Sequence, residues 1–504
     1  MSESGSYRQI LRSSSIIGGA SLINILVGLV KMKVAAVLLG PAGVGLIGLL
    51  QSLMSAASSV SALGFGTVGT RQIAEAVGRD DVAAIAAARR ALFWGTLGLA
   101  ALGAMVVWLL RDLIAVHLLH DPAMGGAIGW LALGVALTVA SGSQAALLNG
   151  LRRIGDLARV SIASGFASAF LGVCALAVWG ERGLLAFVLA APLASFTASL
   201  WYVSRLPPIV APATSFPALA RQWATLARLG AAFMAAGVVG TAGHLAMRIL
   251  VQRELGVDAL GQFQASWMIA MTYIGLVLGA MGTDYYPRLT ATIRDHRATN
   301  ALVNEQSEVA LLLAGPLLLG MLGLAPWLIE LLYSKEFDDA VSVLRWQVLG
   351  DVLKVASWPL GFVMLAAGDG RVYLIAETIA MGALIALTWI ALPVVGVEAT
   401  GLAFLGMYVL YLPLVYWLAR RRTGFRWRRK VLAQLLVIFV LAMLVFIVGG
   451  WSKWLGAGLG LASAGALGLS GLARLGHMAN LGGPLGRIAA ASRSLMMKAG
   501  VWRD

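Results

Sequence analysis

Between Leu331 and Gly368 the chain reads LLYSKEFDDAVSVLRWQVLGDVLKVASWPLGFVMLAAG, which sets Asp351 and Lys354 in a stretch otherwise apolar enough to cross a bilayer. An ionised side chain at mid-membrane costs about 2.5 to 3.5 kcal/mol even on lenient insertion scales, so it normally faces a protein interior or a watery cavity. That points to a transport path. Spaced three apart, the two side chains can pair on one helix face, either as a neutralised structural bridge or as a working site. Lys31 and Lys33 interrupt the first apolar run, with Asn24 ahead of them. Lys31 stands roughly 13 Å along a helix from Gly40, deep enough to line a cavity unless its ammonium snorkels; Lys33 is shallower and can snorkel. About 200° separates the two lysines around a helix, whereas Asn24 and Lys31, at a spacing of seven, share a face. Thr241, His244 and Arg248 recur at i, i+3 and i+7 as one polar stripe. Arg248 either lines the cavity or snorkels toward Gln252 and Arg253. Glu377 lies inside a further apolar run as a candidate counter-ion for Lys354 or Arg371, and it shares with Asp351 a candidate role in proton coupling.

Other chemistries find little support. His117 and His120 (HLLHD) have a metal-compatible spacing but no third ligand nearby, which favours an interfacial pair. There is no G-x-x-x-x-G-K-[ST] phosphate loop, so the chain is not expected to hydrolyse ATP. No metal or cofactor is expected. The outward loops are short, which weighs against a membrane glycan polymerase or ligase.

Such residues need a helical bundle to hold them. Of 504 residues 60% are hydrophobic and only 12% charged, where a soluble domain carries about 25% charged residues. The expected fold is an all-α polytopic membrane protein. A net charge of +15 would suggest nucleic acid in a soluble chain; here a basic excess in the loops of one side is what membrane orientation demands, and no nucleic-acid partner is expected. The lone Cys174 sits in an apolar run and excludes a disulfide within the chain. Arg8 and Arg12 precede an apolar segment that reads as an uncleaved first span.

Allowing about 20 apolar residues per crossing, spans are expected near 14–39, 43–69, 91–110, 125–149, 158–179 and 184–204. Six more follow near 229–252, 259–283, 308–333, 342–367, 372–392 and 398–419, then a pair near 431–450 and 454–473. This describes an N-lobe (10–205), a Pro-rich basic linker (206–228), a C-lobe (229–420), spans thirteen and fourteen (431–473) and a basic tail (474–504). The tail could be an interfacial helix on anionic lipid or a disordered segment. Sorting Lys and Arg between alternate loops gives roughly 28 on one side and 6 on the other, which predicts that both termini are cytoplasmic. Displaced by 216 positions, the chain lays Arg12 on Arg228, Leu39-Gly40 on Leu255-Gly256, Gly45 on Gly261 and Gly66-Thr67 on Gly282-Thr283. Six spans separate the copies, so both halves start on the same face and form a parallel repeat, with a cavity expected between two lobes. Arg248 then falls beside the repeat equivalent of Lys31, placing a cation on each cavity wall.

The run from Leu22 to Ala76, with KMKVAAVLLGPAGVGLIGLLQSL and LGFGTVGTRQIAEA, resembles the Wzx family of O-antigen and enterobacterial-common-antigen translocases; so, more specifically, does the stretch from Leu331 to Gly368. The similarity covers about residues 10 to 420, within a superfamily that includes MurJ and the MATE drug exporters. The resemblance implies two six-helix lobes in a V around a lumen. It also implies flipping of an undecaprenyl-diphosphate-linked oligosaccharide from the cytoplasmic to the periplasmic leaflet of a bacterial inner membrane. A diphosphate must leave water during that passage, and Lys31, Arg248, Lys354 and Lys33 are the cations that could neutralise it. Asp351, Glu377, Asn24 and His244 are the accompanying polar, counter-ion or coupling residues. Membrane lipid and glycan polymerase or chain-length proteins are the implied partners. A cation-coupled MATE-like exporter is the other transport reading, although a cationic drug would favour acidic lumen residues.

Overall fold

The computed structural model describes residues 3–207 and 216–478. The basic tail beyond Met478 and residues 208–215 of the linker, for which the sequence suggested an interfacial helix and a Pro-rich connector, lie outside the described residues. In hydrocarbon each backbone N–H and C=O needs an internal partner, which an α-helix supplies locally. The described residues accordingly form helices and contain no strand. In order these are α1 (Glu3–Ser61), α2 (Phe65–Gly78), α3 (Val82–Leu109), α4 (Arg111–Leu113), α5 (Gly125–Gly150), α6 (Ile154–Trp179) and α7 (Leu184–Ser204). Then come α8 (Phe216–Thr292), α9 (His296–Leu332), α10 (Asp338–Ala366), α11 (Gly370–Val395), α12 (Glu398–Thr423), α13 (Arg429–Trp451) and α14 (Lys453–Met478). The protein is a multi-pass, all-α membrane protein.

Eleven stretches among the described residues are long and apolar enough to cross a membrane, against an expected count of about fourteen. The difference lies in three long ones: Gly18–Ser61 (44 residues), Ile154–Ser204 (51) and Gly237–Gly282 (46). A straight helix of such length would run about twice the roughly 30 Å hydrocarbon core. Each is broken near its middle by a glycine outside helical geometry: Gly40 (φ 63°, ψ −167°), Gly180 (φ 54°, ψ −132°) and Gly256 (φ 86°, ψ 179°).

The breaks repeat. Gly40 and Gly256 are 216 residues apart, and so are Gly180 and Gly396, whose φ of 58° and ψ of −140° nearly reproduce those of Gly180. Arg152 (φ 56°) and Gly368 (φ 77°) form a third such pair of left-handed corners. Displaced by 216, the bounds of α6 land on those of α11. The repeat first visible as a few glycine identities is thus a repeat of backbone conformation. Gly45 and Gly261, also 216 apart, lie in contact: a Cβ on Gly45 would sit 2.5 Å from the Val257 carbonyl and 2.7 Å from the Gly261 nitrogen.

Two boundaries depart from the expected ones. The second span was expected to run to residue 69, but α1 ends at Ser61 and α2 begins at Phe65. Gly64 turns the chain at φ 68° against the backbone of Gly230. The third span was expected from residue 91, but α3 starts at Val82, where the Asp81 side chain accepts from the Ala84 N–H and caps the helix. Hydropathy alone misses both because a turn and a cap are polar-backbone events.

Contacts divide the chain into two compact units, Met1–Gly261 with Leu332–Ser334, and Gln262–Leu331 with Lys335–Asp504. The boundary between the two units falls within α8. In the first unit Phe65, Ile73, Leu92, Leu148, Val160 and Leu226 belong to one buried cluster. In the second, α10 is the most enclosed candidate span, and its polar residues Gln347, Asp351 and Ser357 are buried within protein.

Candidate functional site

In the first unit, Lys31 of α1 lies in a seat made by α6 and α7. Only 8% of its surface is exposed, and its Nζ stands 4.3 Å from the centroid of the Phe187 ring. The stem crosses α6 at Gly172, where a Cβ would come within 3.1 Å of Lys31 Cε and 3.0 Å of the Phe187 ring. Among the described residues no carboxylate pairs with this ammonium. The ring quadrupole offsets part of the desolvation cost of the cation but supplies no counter-charge.

Asn24 and Lys31 do share a face of α1. Asn24 Nδ2 donates to Ser161 Oγ at 2.6 Å, and its buried Oδ1 has no hydrogen-bond partner among the described residues. The two side chains thus meet α6 beside Gly165 and Gly172, seven residues apart on both helices. Lys33 points elsewhere, as its angular offset required, and donates to the backbone carbonyl of Tyr333. Arg248 also falls in the first unit. It is 5% exposed, and its Nη1 donates to the His244 carbonyl at 3.1 Å, with His244 half-buried on the same stripe and Thr241 bonded back to Gly237 at 2.8 Å.

The second unit gathers Asp351, Lys354 and Glu377 among tyrosines. Asp351 is fully buried and Lys354 is partly buried, with 18% of its side chain exposed; Lys354 Nζ stands 3.8 Å from Asp351 Oδ1. That is an ion pair without a hydrogen bond, and it leaves Oδ1 without a donor among the described residues. Tyr273 of α8 donates to Asp351 Oδ2 at 2.9 Å. Lys354 Nζ also touches Met271 Sδ at 3.3 Å and lies 5.6 Å from the Phe404 ring. Glu377 of α11 accepts a 2.6 Å bond from the Tyr411 hydroxyl of α12 and lies within electrostatic reach of Lys354. The i, i+3 pairing on α10 was legible in the sequence; Phe187, Gly172, Tyr273 and Tyr411 were not. The only available signal for the tyrosines was a hydroxyl inside an apolar run, which does not name its partner.

His117 belongs to a π-helical turn, Ile114–Leu118, just after α4, and His120 adopts φ 55°. Among the described residues no three His, Cys, Asp or Glu side chains gather as a metal group. What the two clusters hold is charge: the first a buried cation with no carboxylate partner among the described residues, the second a paired charge and a further carboxylate, each carboxylate accepting from a tyrosine hydroxyl.

Residues 34–342, more than half of the chain, match the family described as polysaccharide biosynthesis protein. The Lipid III flippases of Escherichia coli (strain K12) and Shigella flexneri are each 23% identical over 432 residues, covering 82% of this chain and 99% of the relative. Among solved structures, an inward-facing multidrug resistance MATE transporter of the MOP superfamily superposes with a TM-score of 0.68 at 13% identity, covering 82% of this chain and 98% of the other. The lipid II flippase MurJ in an inward closed conformation gives 0.64 at 12% identity, with 89% and 96% covered. Taken with the repeated helices and the buried charges, these matches show that the chain belongs to the polysaccharide biosynthesis protein family and carries the fold of the MOP transporters.

Proposed function

We propose that the protein flips a lipid-linked glycan, an undecaprenyl-diphosphate-linked O-antigen or related repeat unit, from the cytoplasmic to the periplasmic leaflet of a bacterial inner membrane. The observation that carries this reading is Lys31, a buried ammonium over the Phe187 ring with no carboxylate partner among the described residues. A buried cation without a counter-ion is costly. A substrate diphosphate would supply the missing charge during transit, and Arg248 is a second cation in the same unit. The likeness to Lipid III flippases over most of the chain supports the same substrate class. The fold is shared with MATE exporters and does not separate the two readings; the sign of the unpaired buried charge at Lys31 supports the anionic substrate, since it would repel a cationic drug.

In the proposed cycle the lobes exchange access between the two sides while the diphosphate rides on the buried cations and the polyprenyl tail remains in the bilayer. Asp351, Lys354 and Glu377 form the candidate coupling cluster of the second unit. Both termini face the cytoplasm, as the loop charges require. Glycan polymerase or chain-length proteins are the proposed partners.

The test is reconstitution in vesicles with a labelled undecaprenyl-diphosphate oligosaccharide, comparing wild type with Lys31→Ala and Arg248→Ala. Flipping by wild type that is lost in folded variants supports both the activity and the site. Flipping unaffected by either change removes the site assignment, and no flipping by folded wild-type protein removes the flippase reading.

A further inference from the structure

Away from both charge clusters, the first unit contains a cavity of about 410 Å³ between α3, α5 and α7. Arg89, Arg90 and Phe93 line it from the start of α3, Ser143 and Gln144 from the end of α5, and Leu200 from the end of α7. All three helices therefore contribute from the same end of the unit, where the loop arginines Arg152, Arg153 and Arg205 also lie. Trp94 and Trp201 are about half exposed at this level, and the Arg205 guanidinium stacks 3.5 Å from the Trp201 ring. Tryptophans with this placement mark the headgroup layer of a membrane.

The lining has a directional chemistry. It carries two guanidinium groups and, among the described residues, no carboxylate. Arg89 donates from Nη1 to the Pro207 carbonyl at 3.4 Å, a long bond that engages one of its five N–H donors. Gln144 Oε1 is buried with no hydrogen-bond partner among the described residues. Ser143 Oγ gives its hydrogen to the Ala140 carbonyl at 2.9 Å, so toward the cavity it can only accept. At the mouth, Phe93 and Leu200 are 57% and 45% exposed and offer apolar surface.

We propose that this cavity seats the headgroup of an anionic glycerophospholipid. The phosphodiester accepts from Arg89 and Arg90, a headgroup hydroxyl donates to Gln144 Oε1 and Ser143, and the acyl chains pass over Phe93 and Leu200. A glycerol headgroup meets both needs, one negative charge and free hydroxyls. A choline headgroup offers no hydroxyl and brings its own cation toward the arginines. The site is distinct from the Lys31 seat and stands whether or not the flippase reading does.

The experiment uses the full chain, delipidated in neutral detergent, with retained lipid read by native mass spectrometry and thermal unfolding followed in parallel. Phosphatidylglycerol, phosphatidylcholine, inorganic phosphate and a polyprenyl diphosphate are added in separate arms. Wild type is expected to retain phosphatidylglycerol over phosphatidylcholine by about tenfold or more, and Arg89→Gln/Arg90→Gln to reduce that preference to about twofold or less, as loss of charge-assisted phosphate bonds requires. The charge-matched pair Arg71→Gln/Arg79→Gln should keep the wild-type preference. Leu200→Trp, which fills the mouth from its exposed side, should lose it and serves if the double arginine variant does not fold. Equal retention of the two lipids by wild type overturns the proposal, and so does equal loss in the Arg71/Arg79 control, which would signal diffuse surface attraction. Stabilisation by inorganic phosphate alone, or arginine-dependent binding confined to the polyprenyl diphosphate, also overturns it.

Discussion

Replacing Lys31 by methionine separates a transport role from a structural one. The substitution keeps the unbranched stem that crosses Gly172 and removes only the charge. Burying an ammonium costs several kcal/mol. The Phe187 ring, 4.3 Å from the nitrogen, returns about 2 kcal/mol at a desolvated site. No carboxylate among the described residues adds to that return, so Lys31→Met should stabilise the protein by about 1–3 kcal/mol. Its thermal midpoint in detergent should rise. Flipping should move the other way. A unit charge about 4 Å from a phosphate at an effective dielectric constant near 20 is worth about 4 kcal/mol, which corresponds to roughly three powers of ten in rate. The assay pairs thermal unfolding with flipping of a labelled lipid-linked oligosaccharide in vesicles. A variant less stable than wild type would make Lys31 a structural residue. A stabler variant that flips at the wild-type rate would leave the buried charge without a role in transport, and either outcome refutes the reasoning.

Three other outcomes are expected. Lys354→Met strands the fully buried Asp351 and should cost about 3–5 kcal/mol, whereas Asp351→Asn/Lys354→Met should recover most of that loss; a double variant as unstable as the single one would mean that the 3.8 Å pair contributes nothing by itself. If Asp351 or Glu377 carries a coupled proton, Asp351→Asn or Glu377→Gln should uncouple flipping from an imposed pH gradient, and wild-type coupling in both variants would rule that out. Gly256→Ala places a side chain at φ 86°, ψ 179°, a region almost confined to glycine, and should cost about 1–3 kcal/mol. Gly40→Ala at φ 63°, ψ −167° should cost a similar amount in the same unfolding assay, and a negligible loss at either position would refute the claim that these breaks need glycine.

Some of the site was legible because it depends on distance along one helix. A spacing of seven placed Asn24 and Lys31 on one face, and both meet α6. A spacing of three paired Asp351 with Lys354. Features that depend on two helices were not legible: no local pattern says that Phe187 will lie over Lys31 or that Tyr273 will reach Asp351 across 78 positions of chain. The repeat lies between these cases. Gly180 and Gly396 were visible as residues, but among 60 glycines an identity carries little weight. Their nearly equal φ and ψ distinguish them from chance.

By itself the sequence determined the class of the protein, since a chain 60% hydrophobic and 12% charged, with apolar runs of about 20 residues, satisfies its backbone in a bilayer as helices. It also determined which charges had to be hidden from lipid. The tertiary structure alone decided what surrounds each of them: an aromatic ring and a glycine gap for Lys31, a carboxylate and a thioether for Lys354, a hydroxyl for Glu377. Helical periodicity is set by the local backbone, whereas the partner across a helix interface is set by how whole helices pack, and that depends on shape complementarity between segments far apart in the chain.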